Sequence, residues 1–241
     1  ISGVVRTFDA LGVLRDLKER VPPVTYLTAT RLTRSDAGIT ALVKEAVGKF
    51  PEDKGLDRAH ALAQAVTNEL TEDREIKSGF VPASEVFEAG KGGAAEFTHV
   101  LIAAAHTVGI PARFVYGYVT HGPVELETDL GDEPPTNALV ISSWPGHAWA
   151  ELWIEGLGWV GFDTVKECCP DETYIRLCSG RDAMDASPFR ATALGQGGGQ
   201  TDGGFGAKVE IAGGIGQLTH LAGGGLDHAL LPVARVHAPQ T

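Results

Sequence analysis

Basic residues are scarce. Lys and Arg number 20 against 31 Asp and Glu, a formal net charge of -11, and the 20 are scattered rather than gathered into a stripe. A nucleic-acid partner needs a positive surface to neutralise phosphates, so that class is excluded. Long apolar runs are missing too. No stretch reaches the run of about 18 apolar residues that spans a bilayer, and the opening ISGVVRTFDA has no charged leader followed by an apolar core. The expectation is a soluble chain with no membrane segment. Cysteine is limited to Cys168, Cys169 and Cys178, an odd count that fits no secreted disulfide framework. Reduced thiols are expected, and with them a cytoplasmic location. An initiator Met is absent at Ile1, as expected of a product that begins inside a longer chain or after processing.

What is present is ordinary for a folded protein. With 241 residues, 43% hydrophobic and 21% charged, there is material for one sizeable core or two small ones. Pro22 and Pro23 part a segment with the alternating VVRTF from TYLTATRLT (25–33), which reads as extended chain; residues 1–33 read as the β-type end of an N-terminal region. Asp36 then precedes Ile39, Leu42, Val43, Ala46 and Val47, the spacing of a capped amphipathic helix over 36–49. Ala61, Leu62, Ala65, Val66 and Leu70 repeat that pattern after Asp57. Pro82 opens a short apolar piece, Ser84 to Ala89, which Gly90, Gly92 and Gly93 break. From Ala94 to Val108 a broad apolar face (Phe97, Val100, Leu101, Ala104, Ala105, Val108) predicts a deeply buried helix, stopped by Gly109 and Pro111.

Past that point the period changes to two. ARFVYGYVT (112–120), HAWAELWIEG (147–156) and GWVGFD (158–163) read as strands, the last two joined by a turn at Gly156 to Gly158. Between the first two lies an acidic, proline-bearing excursion expected to border a site. Beyond residue 195 the chain is Gly-rich, with one strand over 207–212 and a flexible tail, a low-complexity region rather than a repeat. Helices first and strands second make an α+β fold, helices packed on an antiparallel sheet, with the core over 34–194 and a C-terminal strand and tail over 195–241.

Four blocks carry chemistry: GKGGAAEFTHVLIAAAHTVGIPARFVYGY, GHAWAELW, GLGWVGFDTV and CPDETYIRLCSGRDAMDASPFR. In that order, between residues 24 and 190, they resemble the bacterial transglutaminase-like proteins, described as candidate cysteine proteases with a papain-like core. The resemblance implies a Cys-His-Asp triad. Taken position by position, the family His falls on His147, the Asp on Asp163, and the nucleophile slot in GGAAEFTH on Ala94. A thiol at a helix start is acidified by the macrodipole and a neighbouring imidazolium; His147 would carry the proton and Asp163 would set its tautomer. Backbone N–H groups of Ala94 and Ala95 would face a developing oxyanion, and Gly92, Gly93, Trp144 and Gly146 would line the substrate cleft. No metal or cofactor is expected. The partner expected is a peptide or amide substrate, and a homo-oligomer is left open.

A methyl group can neither attack a carbonyl nor be activated by a base, so this chain is expected to be inert. Cys168 and Cys169 follow Asp163 in a proline-bounded loop, open no helix and offer no substitute. The intact surroundings of Ala94 favour an engineered Cys→Ala in a peptide or amide hydrolase over a natural pseudoenzyme binding such ligands, and over a module without a site. Acyl transfer to an amine is the alternative fate of the same acyl-enzyme. Blander roles fall to the rest: Glu96 complements the helix N-terminus, His99 and His106 pack, Trp149, Trp153 and Trp159 serve core or groove walls, and Arg181 with Asp182 forms a structural ion pair.

Overall fold

Asp36 starts α1 (Ala37–Val47) by accepting the Ile39 N–H at 2.8 Å, a side-chain cap for one orphan donor. The helix buries Ile39, Val43 and Val47, and α2 (Gly55–Glu69) buries Ala59, Leu62 and Val66. Next comes α3 (Ala83–Ala89), which stops at Gly90 with φ of 65°, a left-handed stop that suits glycine. The fourth helix, α4 (Ala94–Thr107), is buried without a break from Glu96 to Ala105. It lies between α1, α2 and α3 on one side and a sheet on the other, a position that buries it on every side. The structure, a computed structural model, describes residues 2–14, 19–75, 79–120, 138–141, 146–187, 207–212 and 215–220.

Strands in chain order are β1 (Ser2–Arg6), β2 (Val13–Leu14), β3 (Thr71–Glu72), β4 (Lys91–Gly92), β5 (Ala112–Val119), β6 (Ala138–Ile141), β7 (His147–Ile154), β8 (Gly158–Phe162), β9 (Tyr174–Gly180), β10 (Ala207–Ala212) and β11 (Ile215–His220). The sheet under α4 is antiparallel in the order β2-β8-β7-β5-β9. The expected hairpin is present, with Ile154 opposite Gly158 and Ala150 opposite Phe162, and its turn uses Gly156 at φ of 80°. A second antiparallel sheet has the order β1-β11-β10-β6, and β3 pairs with β4 in parallel.

Two sequence expectations need correction. Residues 25–33 are not one extended run: Pro23–Leu27 form one turn of 3₁₀ helix, for which Pro23 fixes a helical φ. The Thr30 and Thr33 hydroxyls then close a turn by bonding the Thr30, Leu32 and Thr33 amides. Arg181 does form a structural ion pair, but with Asp185 at 2.5 Å rather than with Asp182; Asp182 instead accepts the Met184 and Asp185 N–H groups. The expected strand over 207–212 is β10. Instead of a tail alone, a second strand follows it, β11, which pairs with β10 and β1; the rest of the tail and most of the acidic excursion lie outside the described residues, although β6 falls within the excursion.

On the sheet face away from α4, Arg113 and Glu151 stand opposite each other on β5 and β7. Arg113 Nε donates to Glu151 Oε2 at 2.6 Å and its Nη1 to Glu19 at 2.8 Å, while Arg176 from β9 reaches both Glu151 oxygens at 2.7 and 3.1 Å. The Arg113 guanidinium also lies 3.9 Å from the Trp159 ring centre, a cation–π contact. Burial alone would raise the Glu151 pKa, but the two guanidiniums outweigh it and hold the carboxyl below its usual range.

Two buried polar side chains of α4 hold loops. Glu96 accepts the Gly93 N–H at 3.2 Å and the Gly79 N–H at 2.9 Å; this is half a capping box, since Gly93 has no side chain to return the bond. His99 Nε2 accepts the Ala183 N–H at 3.1 Å. Burial lowers the His99 pKa to about 4, with the Asp182 charge pulling the other way.

Replacing Glu151 with Ala is expected to cost about 3–5 kcal/mol, because two guanidiniums lose their shared counter-charge inside the protein. Urea denaturation reads this directly, and a loss below about 1 kcal/mol would refute it. His99 sets a pH dependence. Its folded pKa of about 4 lies below the unfolded 6.5, so the unfolded chain binds the extra proton and stability falls as pH drops from 6.5 towards 4. Between pH 7 and 5 this amounts to about 2 kcal/mol. Denaturation of the parent chain and of His99→Gln at both pH values should show that much less slope in the variant.

Candidate active site

His147 is the first residue of β7, and Asp163 follows the last residue of β8. The hairpin brings both to one end of the sheet, and His147 Nε2 lies 2.5 Å from Asp163 Oδ2. A carboxylate only accepts, so Nε2 carries the proton and Nδ1 is left as the basic nitrogen. Asp163 is saturated: Oδ1 accepts the Val165 and Lys166 N–H groups, both at 3.0 Å, and Oδ2 also accepts the Tyr174 hydroxyl at 2.8 Å. Burial by itself would raise the Asp163 pKa. The His147 bond and charge, the Lys166 N–H and the Tyr174 hydroxyl outweigh it and keep the carboxyl below its usual range.

A backbone bridge secures this carboxylate. Asp163 and Cys168 exchange N–H to carbonyl bonds at 2.9 and 3.2 Å, closing the loop whose amides hold Oδ1. Trp149 stacks on the His147 ring at 6.4 Å between centres and meets Tyr174 edge-on at 5.3 Å. Glycine is required at 117, directly opposite His147, since an added Cβ would stand 2.7 Å from the Trp149 ring and overlap the Ile175 carbonyl.

The start of α4 reaches the same end of the layer. The helix runs towards the Gly109–Pro111 turn, where the Pro111 carbonyl accepts the Trp153 N–H at 2.8 Å, and β5 returns antiparallel. His99 touches Phe114, ring to ring at 5.1 Å, and Phe114 pairs with Ala150. From that level Ala94 lies about 7.5 Å back along the helix, and His147 lies about 10 Å back along β7 in the same direction. Ala94 and Ala95 are half-buried against the core on the helix side, whereas His147 shares the opposite face with Trp149. The first-turn N–H groups of α4 have no intrahelical acceptor. Gly92 must be small, because a Cβ there would come within 2.7 Å of Glu96 Cβ, and Gly146 abuts Tyr116. Trp144 lies outside the described residues.

None of the cysteines presents a thiolate. Burial raises the pKa of Cys168 and Cys169, and that of Cys178 to about 11. Cys168 Sγ sits 3.2 Å from the Tyr174 hydroxyl, and Cys178 bonds the Ala186 carbonyl at 2.7 Å. Among the described residues no group of three or more His, Cys, Asp or Glu side chains gathers at a metal-binding spacing. His99 packs inside the core, and His106 Nε2 lies 2.6 Å from the Tyr26 carbonyl, securing the 3₁₀ turn to the end of α4. Sequence reasoning assigned no part to Tyr174. Its only signal was membership of the CPDETYIRLCSG block.

Known proteins share this arrangement of elements. Residues 40–164 match the transglutaminase-like superfamily. An uncharacterised protein of Mycobacterium tuberculosis is 26% identical over 174 residues, covering 70% of this chain and 52% of that protein. A protein-glutamine gamma-glutamyltransferase of Pseudomonas aeruginosa is 28% identical over 88 residues, 36% of this chain and 12% of the relative. Among solved structures, a candidate cysteine protease of Cytophaga hutchinsonii superposes with a TM-score of 0.51 at 22% identity, over 77% of this chain and 56% of its own. The chain thus spans about half, or less, of the length of these relatives. The family match covers more than half of the chain, and the protein belongs to the transglutaminase-like superfamily.

Proposed function

We propose that this chain carries the site of a Cys-His-Asp peptide or amide hydrolase whose nucleophile position is filled by Ala94, and that it is inert in acyl chemistry as it stands. The observation that supports this most is the His147–Asp163 pair, with Asp163 held by four donors and Nδ1 as the basic nitrogen of His147. A carboxylate so fully bonded is ionised and fixed in place, which is what an imidazole needs to hold one tautomer through a proton transfer. The half-buried start of α4 at the same end of the layer supplies backbone donors and a positive dipole end. In this reading Ala94 keeps the Cβ and lacks the sulfur.

The mechanism follows from the parts. A thiolate at position 94 would attack the amide carbon. The carbonyl electron pair would move to oxygen, facing the first-turn N–H groups, and collapse would expel the amine with a proton from His147. Water, activated by the same imidazole, would then release the acid. An amine in place of water would make the step a transfer, as the name of the Pseudomonas relative describes for that protein. The three free thiols support a reducing, cytoplasmic setting within this proposal. The codon at position 94 separates an engineered Cys→Ala from a natural pseudoenzyme.

Ala94→Cys is expected to create a thiol that iodoacetamide alkylates at pH 6.5 at least about 10-fold faster than in Ala94→Cys with His147→Gln. The parent chain, alkylated in parallel, supplies the background from the native thiols. Equal rates in the two variants would sink the pairing of position 94 with His147. In the same background Asp163→Asn should lower kcat for a peptide amide by about 10²–10⁴ with KM little changed, since it destroys the tautomer rather than the cleft. The parent chain should turn over nothing.

A further inference from the structure

Tyr116 is a polar side chain on the helix side of the sheet at the end where α4 begins. It lies on β5 next to Gly117, which pairs with His147, and it packs half-buried on the same core as Ala94 and Ala95. Its hydroxyl abuts the Gly146 backbone so closely that a Cβ there would overlap the phenol oxygen. The oxygen is thus held one residue from His147, on the side of the sheet that carries the nucleophile position. The triad leaves it unused.

Its chemistry is also set. The Tyr116 and Tyr118 rings meet edge-on with centres 6.1 Å apart, and burial pushes both phenols up. Tyr116 is therefore a neutral donor across the working range of a cysteine hydrolase. A neutral phenol both donates and accepts, so the Tyr116 proton can be offered to a developing oxyanion. The N-terminus of α4 offers backbone donors to an oxyanion, and a hydroxyl fixed beside Gly146 can approach it from the strand side.

We propose that Tyr116 is a side-chain oxyanion donor of this site, acting with the first-turn N–H groups of α4 on the carbonyl oxygen of the bound acyl group. This rests on the triad reading above. During attack the S–C bond forms, the carbonyl π pair becomes a lone pair on oxygen, and that oxygen accepts the Tyr116 O–H. On collapse the C=O bond re-forms and the leaving group departs with the proton held by His147. Tyr116 keeps its proton throughout. Gly146 serves the same end, because any larger residue would push the phenol away.

The test uses the full chain carrying Ala94→Cys, with p-nitrophenyl acetate as acyl donor and iodoacetamide as probe of the thiolate. Both reagents consume the thiolate, but only the ester passes through an oxyanion. Tyr116→Phe keeps the ring in the core and is expected to slow the acylation burst roughly 10²-fold while the alkylation rate and its pH profile stay within about 2-fold. A parallel fall in both reactions overturns the proposal, since Tyr116 would then merely support the thiolate or the fold. An unchanged burst overturns it as well. If the installed thiol shows no enhanced alkylation before Tyr116 is touched, the triad reading has failed, and the oxyanion role falls with it in a visibly different way.

Discussion

The burial of α4 on every side is the constraint from which the rest of the structure follows. A helix with one wet face can rotate or slide by a few degrees at the cost of some surface contact. A helix pressed between three others and a sheet has no such freedom, because native packing leaves no volume for the displaced side chains. Ala103, Ala104 and Ala105 bring the backbones close, and Phe97, Leu101 and Ile102 fill what remains. The N-terminus of α4 is thereby fixed relative to β7, and whatever stands at position 94 inherits that placement.

Fixing a helix this way carries a polar cost that the sequence meets with two side chains. Glu96 and His99 are buried, and neither would be tolerated in a core without partners. Each is matched to a backbone N–H of a loop that has no ladder of its own, at Gly79 and at Ala183. The loops gain an acceptor, and Glu96 Oε1 and His99 Nε2 gain a donor. On the far face of the sheet the same problem has a charged solution, where Glu151 lies between Arg113 and Arg176. Such a network is weak evidence of added stability, since apolar residues could fill the same volume. It does impose register: a one-residue slip of β7 against β5 would send Glu151 to the helix side, and would carry His147 away from Asp163.

Where periodicity decided the matter, the sequence was legible. The stripes of α1 and α2, the broad apolar face of α4, and β5, β7 and β8 emerged at nearly their true bounds because burial rather than local propensity sets them. The meeting of His147 with Asp163 was legible as well, once the four blocks were taken together. The misses are also physical. β9 reads YIRLCSG, in which Arg176 is drawn inward by Glu151 and blurs any alternation. TYLTATRLT has strand-like composition, but the two prolines and the Thr30 hydroxyl satisfy the backbone locally. Arg181 chose Asp185, one helical turn away in sequence, over its neighbour Asp182, which was occupied with capping two amides. Tyr174 could not have been assigned from its residue type, since its role exists only through the pairing of β9 with β5 and the folding back of the 163–168 loop.

Ala94 brings the two demands on this end of the molecule into opposition. A thiolate there would be a partly buried charge, stabilised by the dipole and by an imidazolium but stripped of part of its water. Alanine asks for none of this, and it is the best helix former for a first turn. The fold by itself therefore prefers the inert residue, and nothing in the packing of α4 would select for sulfur. The glycines at 92 and 93 are different. Gly92 is enforced by Glu96 and needs no catalytic reason, whereas the place of His147 and the fourfold-bonded Asp163 could be taken by an apolar pair at no polar cost. Packing alone therefore does not account for that pair at the end of the layer where α4 begins, and the proposed hydrolase reading does.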